Sequence, residues 1–297
     1  MEYPPVFFAI ALISAFSYAL QGVLMATYYR SMDTLSAVAY RGLSLIFSMA
    51  ILLVFVPGHM FERIPQALPA ILAASLCATL GNWAQANSFK SLPLGIATAL
   101  GISFAVMVAS AIGFFFLGEM LSAWQTLLMV LLLTGIVLLG FSRSTGPLPK
   151  DHNVPKGVSF ALLFGLFLGA GYALIGSAAR QLHPFLAGYM WETIIGLMAA
   201  GLAFSRKWFN GPSLAKVSLP LFWKILVASA PTAIGTGFYA LAMTLGPIAL
   251  ATALISTTIV FTTLLSRLIY RERLTIWQWS LLLAICLIVG TLRYMIN

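Results

Sequence analysis

Charged residues are scarce in this sequence of 297 residues, where Asp, Glu, Lys and Arg make up 8% and hydrophobic residues 61%. Soluble domains carry about 25% charged and about 45–50% apolar residues. A soluble fold of this length cannot bury so much apolar surface. The composition therefore predicts a protein whose natural solvent is a lipid bilayer.

Cysteine, histidine and acidic residues are also few, with 2 Cys, 3 His and 7 Asp or Glu in the chain. Both cysteines lie inside apolar segments, which argues against a disulfide framework. No histidine stands at ligand spacing from another histidine, a cysteine or an acid, and neither a Walker A pattern nor a hydrolase motif occurs. We therefore expect no metal, no cofactor and no enzymatic activity.

Ten segments are long and apolar enough to cross a bilayer, which takes about 20 helical residues. They are residues 6–28, 36–56, 66–89, 93–117, 124–141, 157–180, 185–204, 220–243, 247–269 and 276–294. The gaps between them are short and carry turn signals such as Pro57-Gly58, and Pro231 within the eighth segment predicts a kink. The sequence thus predicts an all-α integral membrane protein of ten transmembrane helices.

The two halves of the chain repeat each other. Residues 93–100 (PLGIATAL) match residues 247–254 (PIALATAL) at five of eight positions, with an offset of 154. The same offset relates 18–22 (YALQG) to 172–176 (YALIG), and an offset of 153 relates Glu119 to Glu272. We assign a first repeat to residues 1–146, a connecting loop to 147–156 and a second repeat to 157–297. Five spans in each half require the second repeat to be inverted, which is an architecture of secondary transporters.

The basic residues orient these spans. With both termini on one side, 3 of the 16 Lys and Arg residues lie on that side and 13 on the other. Basic residues accumulate in cytoplasmic loops, so this split places the termini outside the cytoplasm. The net charge of +9 is scattered through short gaps, without a basic stripe or tail, so nucleic acid is not an expected partner.

Several short stretches carry a family resemblance: 39–43 (AYRGL), 91–97 (SLPLGIA), 116–122 (FLGEMLS), 245–251 (LGPIALA) and 270–275 (YRERLT). Together with the ten spans, they resemble the drug/metabolite transporter superfamily in its EamA-type branch. The resemblance implies export of amino acids and related metabolites, or carriage of sugars, nucleotide sugars or drugs, across a bacterial cytoplasmic membrane. It also implies cytoplasmic termini, contrary to the charge count.

Among the charged residues inside predicted spans, Glu192 and Arg41 are the candidates for a functional role. Glu192 is deep in the seventh span, where a carboxylate is energetically unfavourable unless it is neutral, paired or facing a water-filled cavity. It is our candidate for contacting a substrate amine or for coupling transport to protons. Arg41, in the second span, holds roughly the repeat position of Glu192, and the two would bracket a zwitterion. The alternative for Arg41 is that its side chain extends to the membrane surface.

The third span is unusually polar. Asn82 and Gln85 are three residues apart and share one helix face, while Trp83 and Asn87 share another. Polar groups in a bilayer core need partners or water, so these residues predict either a cavity lining or hydrogen bonds between helices.

Aromatic and polar residues of other spans complete the predicted site. Tyr18 and Gln21 share a face of the first span, Tyr172 is the repeat equivalent of Tyr18, and Tyr239 that of Gln85. These residues would form a cage around a small ligand, although most tyrosines in such helices merely pack.

These observations favour a monomeric secondary transporter that exports a small amphiphilic or zwitterionic metabolite through a central cavity by alternating access. Its expected partners are that metabolite, membrane lipid and, through Glu192, protons. The alternatives are a flippase for lipids or lipid-linked substrates, which would have a groove open sideways to lipid, and a carrier of sugars or nucleotide sugars with the same fold.

Overall fold

The computed structural model describes residues 5–119, 122–141, 151–209, 211–270 and 275–294, and these ranges contain helices but no β-strand. The helices are α1 (Pro5–Ser31), α2 (Thr34–Ala50), α3 (Ile64–Ser91), α4 (Leu94–Leu117), α5 (Ala123–Phe141), α6 (Val154–Gln181), α7 (Pro184–Ser205), α8 (Leu219–Ser229), α9 (Pro231–Leu245), α10 (Ile248–Ile255), α11 (Thr258–Tyr270) and α12 (Ile276–Tyr294). The predicted all-α fold is confirmed for these residues. The connecting loop is described only from residue 151.

Eight stretches of the described residues are long and apolar enough to span a bilayer. They are Val6–Ser31, Thr34–Phe55, Gly58–Ser91, Leu94–Leu117, Val154–Gln181, Pro184–Phe209, Leu219–Leu245 and Ile248–Ile269. In α5 and α12 the corresponding apolar stretches are shorter, Thr126–Gly135 and Ile276–Ile285. Eight of the ten predicted spans are therefore found, and the fifth and tenth stay predictions.

Two of the spans are interrupted. The eighth breaks between Ser229 and Pro231, which confirms the kink predicted there, because proline has no N–H to donate to the preceding turn. The ninth breaks at Ser256 and Thr257, which the sequence analysis did not foresee. Their hydroxyls donate to the carbonyls of Ala253 and Leu254 and so compete with the helical hydrogen bonds.

Helix packing follows the internal repeat. Helix α3 packs along α6, and its repeat counterpart α9 packs along α1. In the same way α4 packs on α6 and α11 on α1, while α2 crosses its own counterpart α7 and α5 contacts α12. Exchanging the two halves therefore reproduces these helix contacts.

One hydrogen bond is repeated along with the helices. Arg30 Nε donates to the carbonyl of Phe89 at 3.0 Å, and Arg180 Nε donates to the carbonyl of Met243 at 3.0 Å. Each arginine stands at the end of the first helix of its half and ties that helix to the end of the third span. In both halves this hydrogen bond therefore connects the end of the first span to the end of the third.

Acidic residues tie helices together at both ends of the bundle. Glu119 accepts hydrogen bonds from Arg180 Nη2 at 2.7 Å and from the backbone N–H of Ile248 at 2.8 Å, at the start of α10. Negative charge is favourable at a helix N-terminus. At the opposite end Asp33 caps α2 and pairs with Arg206 Nη2 at 2.6 Å. Glu272, the repeat equivalent of Glu119, lies outside the described residues.

Small residues allow the central helices to approach closely. A Cβ added to Gly196 of α7 would lie 2.6 Å from the backbone carbonyl carbon of Gly42 in α2. In α6, added Cβ atoms at Gly165 and Gly169 would lie 2.5 Å from the carbonyl oxygens of Gly101 and Ala105 in α4. Glycine at these positions therefore allows the backbones of neighbouring helices to come into contact, as small residues do between membrane helices.

We expect Gly196→Ala to lower the free energy of unfolding by about 1–3 kcal/mol, because the added methyl group must push α2 away from α7. Gly201→Ala is the matched control on the same helix, since an added Cβ there meets nothing within 4 Å. Thermal unfolding of the purified protein in detergent measures both. Equal midpoints for the two variants would contradict the close crossing.

The Asp33–Arg206 pair predicts a pH dependence. Burial raises the pKa of Asp33, but hydrogen bonds from Arg206 and Ser36 outweigh it and hold this pKa below its usual value of 3.8. Because the folded-state pKa is depressed, the pair contributes stability above the unfolded-state pKa and loses it as pH falls. The difference in unfolding midpoint between wild type and Asp33→Asn should hold from pH 7 to about pH 5 and shrink below about pH 4. A difference that already shrinks between pH 7 and about pH 5 would contradict this assignment.

Candidate functional site

A buried ion pair lies where α2 crosses α7. Arg41 Nη2 of α2 and Glu192 Oε1 of α7 are 3.0 Å apart, and their side chains are only 4% and 3% exposed. Moving two charges out of water costs several kcal/mol for each ion unless other groups compensate. The buried ion pair therefore lies next to the close crossing at Gly42 and Gly196, and it joins the two halves of the chain.

Two hydroxyl groups extend the ion pair to further helices. Thr236 of α9 donates from Oγ1 to Glu192 Oε1 at 2.8 Å. The hydroxyl of Tyr18 in α1 lies 2.9 Å from the same Thr236 oxygen. A chain of hydrogen bonds thus runs from α2 through α7 and α9 to α1, and it contains two helices from each half.

Several polar atoms around the pair have hydrogen-bonding capacity left. Glu192 Oε2, Arg41 Nε and Nη1, and Trp191 Nε1 are buried and have no hydrogen-bond partner among the described residues. An unsatisfied buried polar group costs about 1–3 kcal/mol, and more when it is charged. These atoms are therefore available to a polar ligand or to water, one of them an acceptor and three of them donors.

A cavity of about 50 Å³ adjoins the ion pair. Its lining consists of Tyr18, Gln21, Gly22, Arg41, Asn82, Gln85, Phe89, Thr98, Leu168, Tyr172, Trp191, Glu192, Ile195, Ile255, Thr258 and Thr262. One water molecule needs about 10–15 Å³ of such volume, so the cavity has room for about three to five waters. Pockets for drug-sized ligands measure about 300–1,000 Å³, so a larger ligand requires the surrounding helices to separate.

Aromatic rings form one wall of the cavity. The ring centroid of Tyr172 lies 4.7 Å from that of Tyr239 and 6.1 Å from that of Trp191, in edge-on arrangements. The ring centroid of Tyr18 lies 6.4 Å from that of Tyr239. The faces of such rings attract cations, so this wall suits a positively charged group placed near Glu192.

Seven of the nine residues that the sequence analysis proposed line this one cavity. They are Tyr18, Gln21, Arg41, Asn82, Gln85, Tyr172 and Glu192. Their side chains come from α1, α2, α3, α6 and α7, and Asn82 and Gln85 share a helix face as the spacing predicted. Whether these residues bind a substrate stays a prediction.

The other two proposed residues lie elsewhere. Tyr239 is fully buried behind Tyr172, and its hydroxyl lies 2.7 Å from Thr252 Oγ1. Trp83 is absent from the cavity lining and packs edge-on against Phe160 of α6, with the ring centroids 5.4 Å apart. The one-residue step from Asn82 to Trp83 turns the indole towards another face of α3, so direct contact with a ligand in this cavity is not expected of it.

Arg41 does not extend to the membrane surface. Its side chain is 4% exposed and bound to Glu192, which excludes the alternative that it marks the topology from a membrane interface. Without it, the split of basic residues predicted from the sequence becomes 3 on the side of the termini and 12, which is 13 less one, on the other side.

Several polar residues of the cavity and the ion pair were not predicted from the sequence. Trp191 and Thr236 supply polar groups around Glu192, and Thr98, Thr258 and Thr262 contribute hydroxyls. One signal was available, because an offset of 154 makes Thr236 the repeat equivalent of Asn82. For Thr258 and Thr262 no such signal existed, since their place depends on the break before α11.

The ion pair predicts a non-additive response to mutation. Arg41→Met leaves Glu192 buried without its cation and should destabilise the protein by about 3–5 kcal/mol. The double variant Arg41→Met/Glu192→Met removes both charges and should recover most of that loss. Thermal unfolding in detergent measures this cycle, and additive effects of the two single variants would show that the side chains do not interact.

The comparisons with known proteins agree with this architecture. None of the curated proteins compared with the sequence matches it significantly. A solved structure described only as a crystal structure of a protein aligns over 96% of this chain and 95% of its own, with a TM-score of 0.66 and 16% sequence identity, and so shares the fold. The model of the EamA-like transporter family matches twice, over residues 6–141 and 155–294. The chain therefore belongs to the EamA-like transporter family.

Proposed function

We propose that this protein is a secondary transporter that exports a small zwitterionic metabolite, such as an amino acid, across a bacterial cytoplasmic membrane. The observation that carries this proposal is the buried pair of Arg41 and Glu192, whose remaining donors and acceptor are available next to a cavity. A zwitterion has one group for each of these charges. A neutral sugar would leave both charges without a charged partner, and it is less well matched for that reason.

The proposed binding geometry uses the atoms that lack partners. The substrate carboxylate accepts a charge-assisted hydrogen bond from one of the unpartnered Arg41 donors, Nε or Nη1, which lie on different edges of the guanidinium. The substrate ammonium donates to Glu192 Oε2 and faces the ring of Tyr172. The cavity volume of about 50 Å³ suits a head group of this size, while a substrate side chain needs the helices to separate.

Alternating access would come from the two halves, which we propose to be inverted repeats at residues 1–146 and 157–297. The exchange of helix contacts between the halves supports this proposal. So do the two interrupted spans, since broken helices at a central site are a feature of secondary transporters. The acidic ties at Glu119 and Asp33, at opposite ends of the bundle, are contacts that would have to open on one side at a time.

The orientation we propose follows the basic residues. The corrected split of 12 against 3 places the termini outside the cytoplasm, although the resemblance to the family implied the reverse. Labelling an engineered cysteine at either terminus with an impermeant reagent in intact cells tests it. Labelling only after the cells are opened would overturn this orientation.

Transport by the purified protein in liposomes tests the function. We expect uptake of a labelled zwitterionic amino acid above that of protein-free liposomes, and a 10- to 100-fold lower rate with Glu192→Gln, since a charge-assisted hydrogen bond contributes about 1.5–3 kcal/mol. Glu62→Gln is the matched control, because Glu62 is exposed and outside the cavity lining.

A pH gradient across the liposomes tests Glu192 as the proton-coupling residue. Under coupling, an imposed gradient accelerates wild-type flux and leaves flux through Glu192→Gln unchanged. If neither the wild-type flux nor the Glu192→Gln flux responds to the pH gradient, proton coupling would be overturned but the proposal of transport would not. Zwitterion flux equal to that of protein-free liposomes, or wild-type flux in Glu192→Gln, would overturn the proposed site.

A further inference from the structure

A second concave surface lies on the outside of the bundle, between α1 and α8. This groove has a volume of about 400 Å³ and is lined by Leu24, Tyr28, Trp223, Lys224, Val227 and Ala228. It shares no residue with the central cavity. Trp223 and Val227 are 56% and 67% exposed, and both belong to a stretch apolar enough to span a membrane, so the groove faces lipid.

The groove lies close to one membrane face. Lys224 is the sixth residue of α8, which begins at Leu219, and Tyr28 is three residues before the end of α1 at Ser31. At a rise of 1.5 Å per residue, both side chains are within about 8 Å of the helix ends. The predicted spans assign 12 of the basic residues to that face. Trp and Tyr are enriched at the level of lipid head groups, so the lining matches an interface.

Lys224 supplies an uncompensated positive charge to this groove. It is exposed and forms no ion pair or side-chain hydrogen bond with another described residue. Leu24, Val227 and Ala228 are apolar, and no lining residue is acidic. The groove therefore combines an apolar lining with one cation at the end nearer the membrane surface. This combination is complementary to a lipid with an acyl chain and an anionic head group.

We propose that the groove between α1 and α8 binds one anionic phospholipid, with its phosphate on Lys224 and an acyl chain along Leu24 and Val227. Basic pockets between transmembrane helices bind such head groups on the cytoplasmic side, and a polybasic face attracts them at about 1 kcal/mol for each basic residue. The hydroxyl of Tyr28 and the indole N–H of Trp223 are within the same lining and can donate to the head group.

Native mass spectrometry of the purified protein with equal amounts of dioleoyl phosphatidylglycerol and dioleoyl phosphatidylcholine tests this site. We expect wild type to retain one phosphatidylglycerol in preference to phosphatidylcholine, and Lys224→Gln to lower that preference about fivefold. Lys207→Gln, which removes an exposed charge from the same face outside the groove, should keep the wild-type preference.

Lys224→Arg keeps the positive charge and should keep the preference for phosphatidylglycerol. This variant shows that the charge at position 224 causes the preference, whatever the effect of Lys224→Gln on folding. Equal retention of the two lipids by wild type would overturn the proposal. So would an equal loss of preference in Lys224→Gln and Lys207→Gln, since it would show a diffuse attraction of the basic face. Neither result bears on the transport of a zwitterion through the central cavity.

Discussion

The ion pair between Arg41 and Glu192 is the interaction on which the rest of the structure depends. Two charges in the middle of an apolar bundle are tolerated only when each compensates the other and polar neighbours complete their hydrogen bonds. Thr236 and Tyr18 provide part of that completion from two further helices. The glycine contact beside the pair lets α2 and α7 come close enough for the side chains to meet. The position of four helices is thereby linked to one electrostatic requirement.

The two interrupted spans supply polar neighbours to the ion pair and its cavity. Thr236 follows the break at Pro231 by five residues, and Thr258 opens α11 directly after the break at Ser256 and Thr257. Backbone groups released by a break need new partners in an apolar environment, and here hydroxyl side chains supply them. Threonine hydroxyls that follow both breaks therefore lie at the ion pair and its cavity.

Much of this arrangement could be predicted from the sequence, and the limits are instructive. The helical class, eight of the spans, the kink at Pro231 and the grouping of Tyr18, Asn82 and Glu192 followed from hydropathy, repeats and spacing. The direct bond between Arg41 and Glu192 did not, because repeat position says which residues are equivalent and not which ones touch. Trp83 was included through its polar neighbours, although one residue turns a side chain by about 100° around a helix.

The small volume of the central cavity bears on how affinities for this protein should be understood. If a ligand larger than a head group binds only when the helices have separated, its measured dissociation constant is the intrinsic one divided by the fraction of molecules in the separated arrangement. The packing of Tyr172 against Tyr239 and Trp191 then contributes to that fraction, in addition to any contact that Tyr172 makes with the ligand. Loosening this aromatic wall would make binding tighter, and selectivity among substrates would reflect the work of parting the helices as much as the contacts made afterwards.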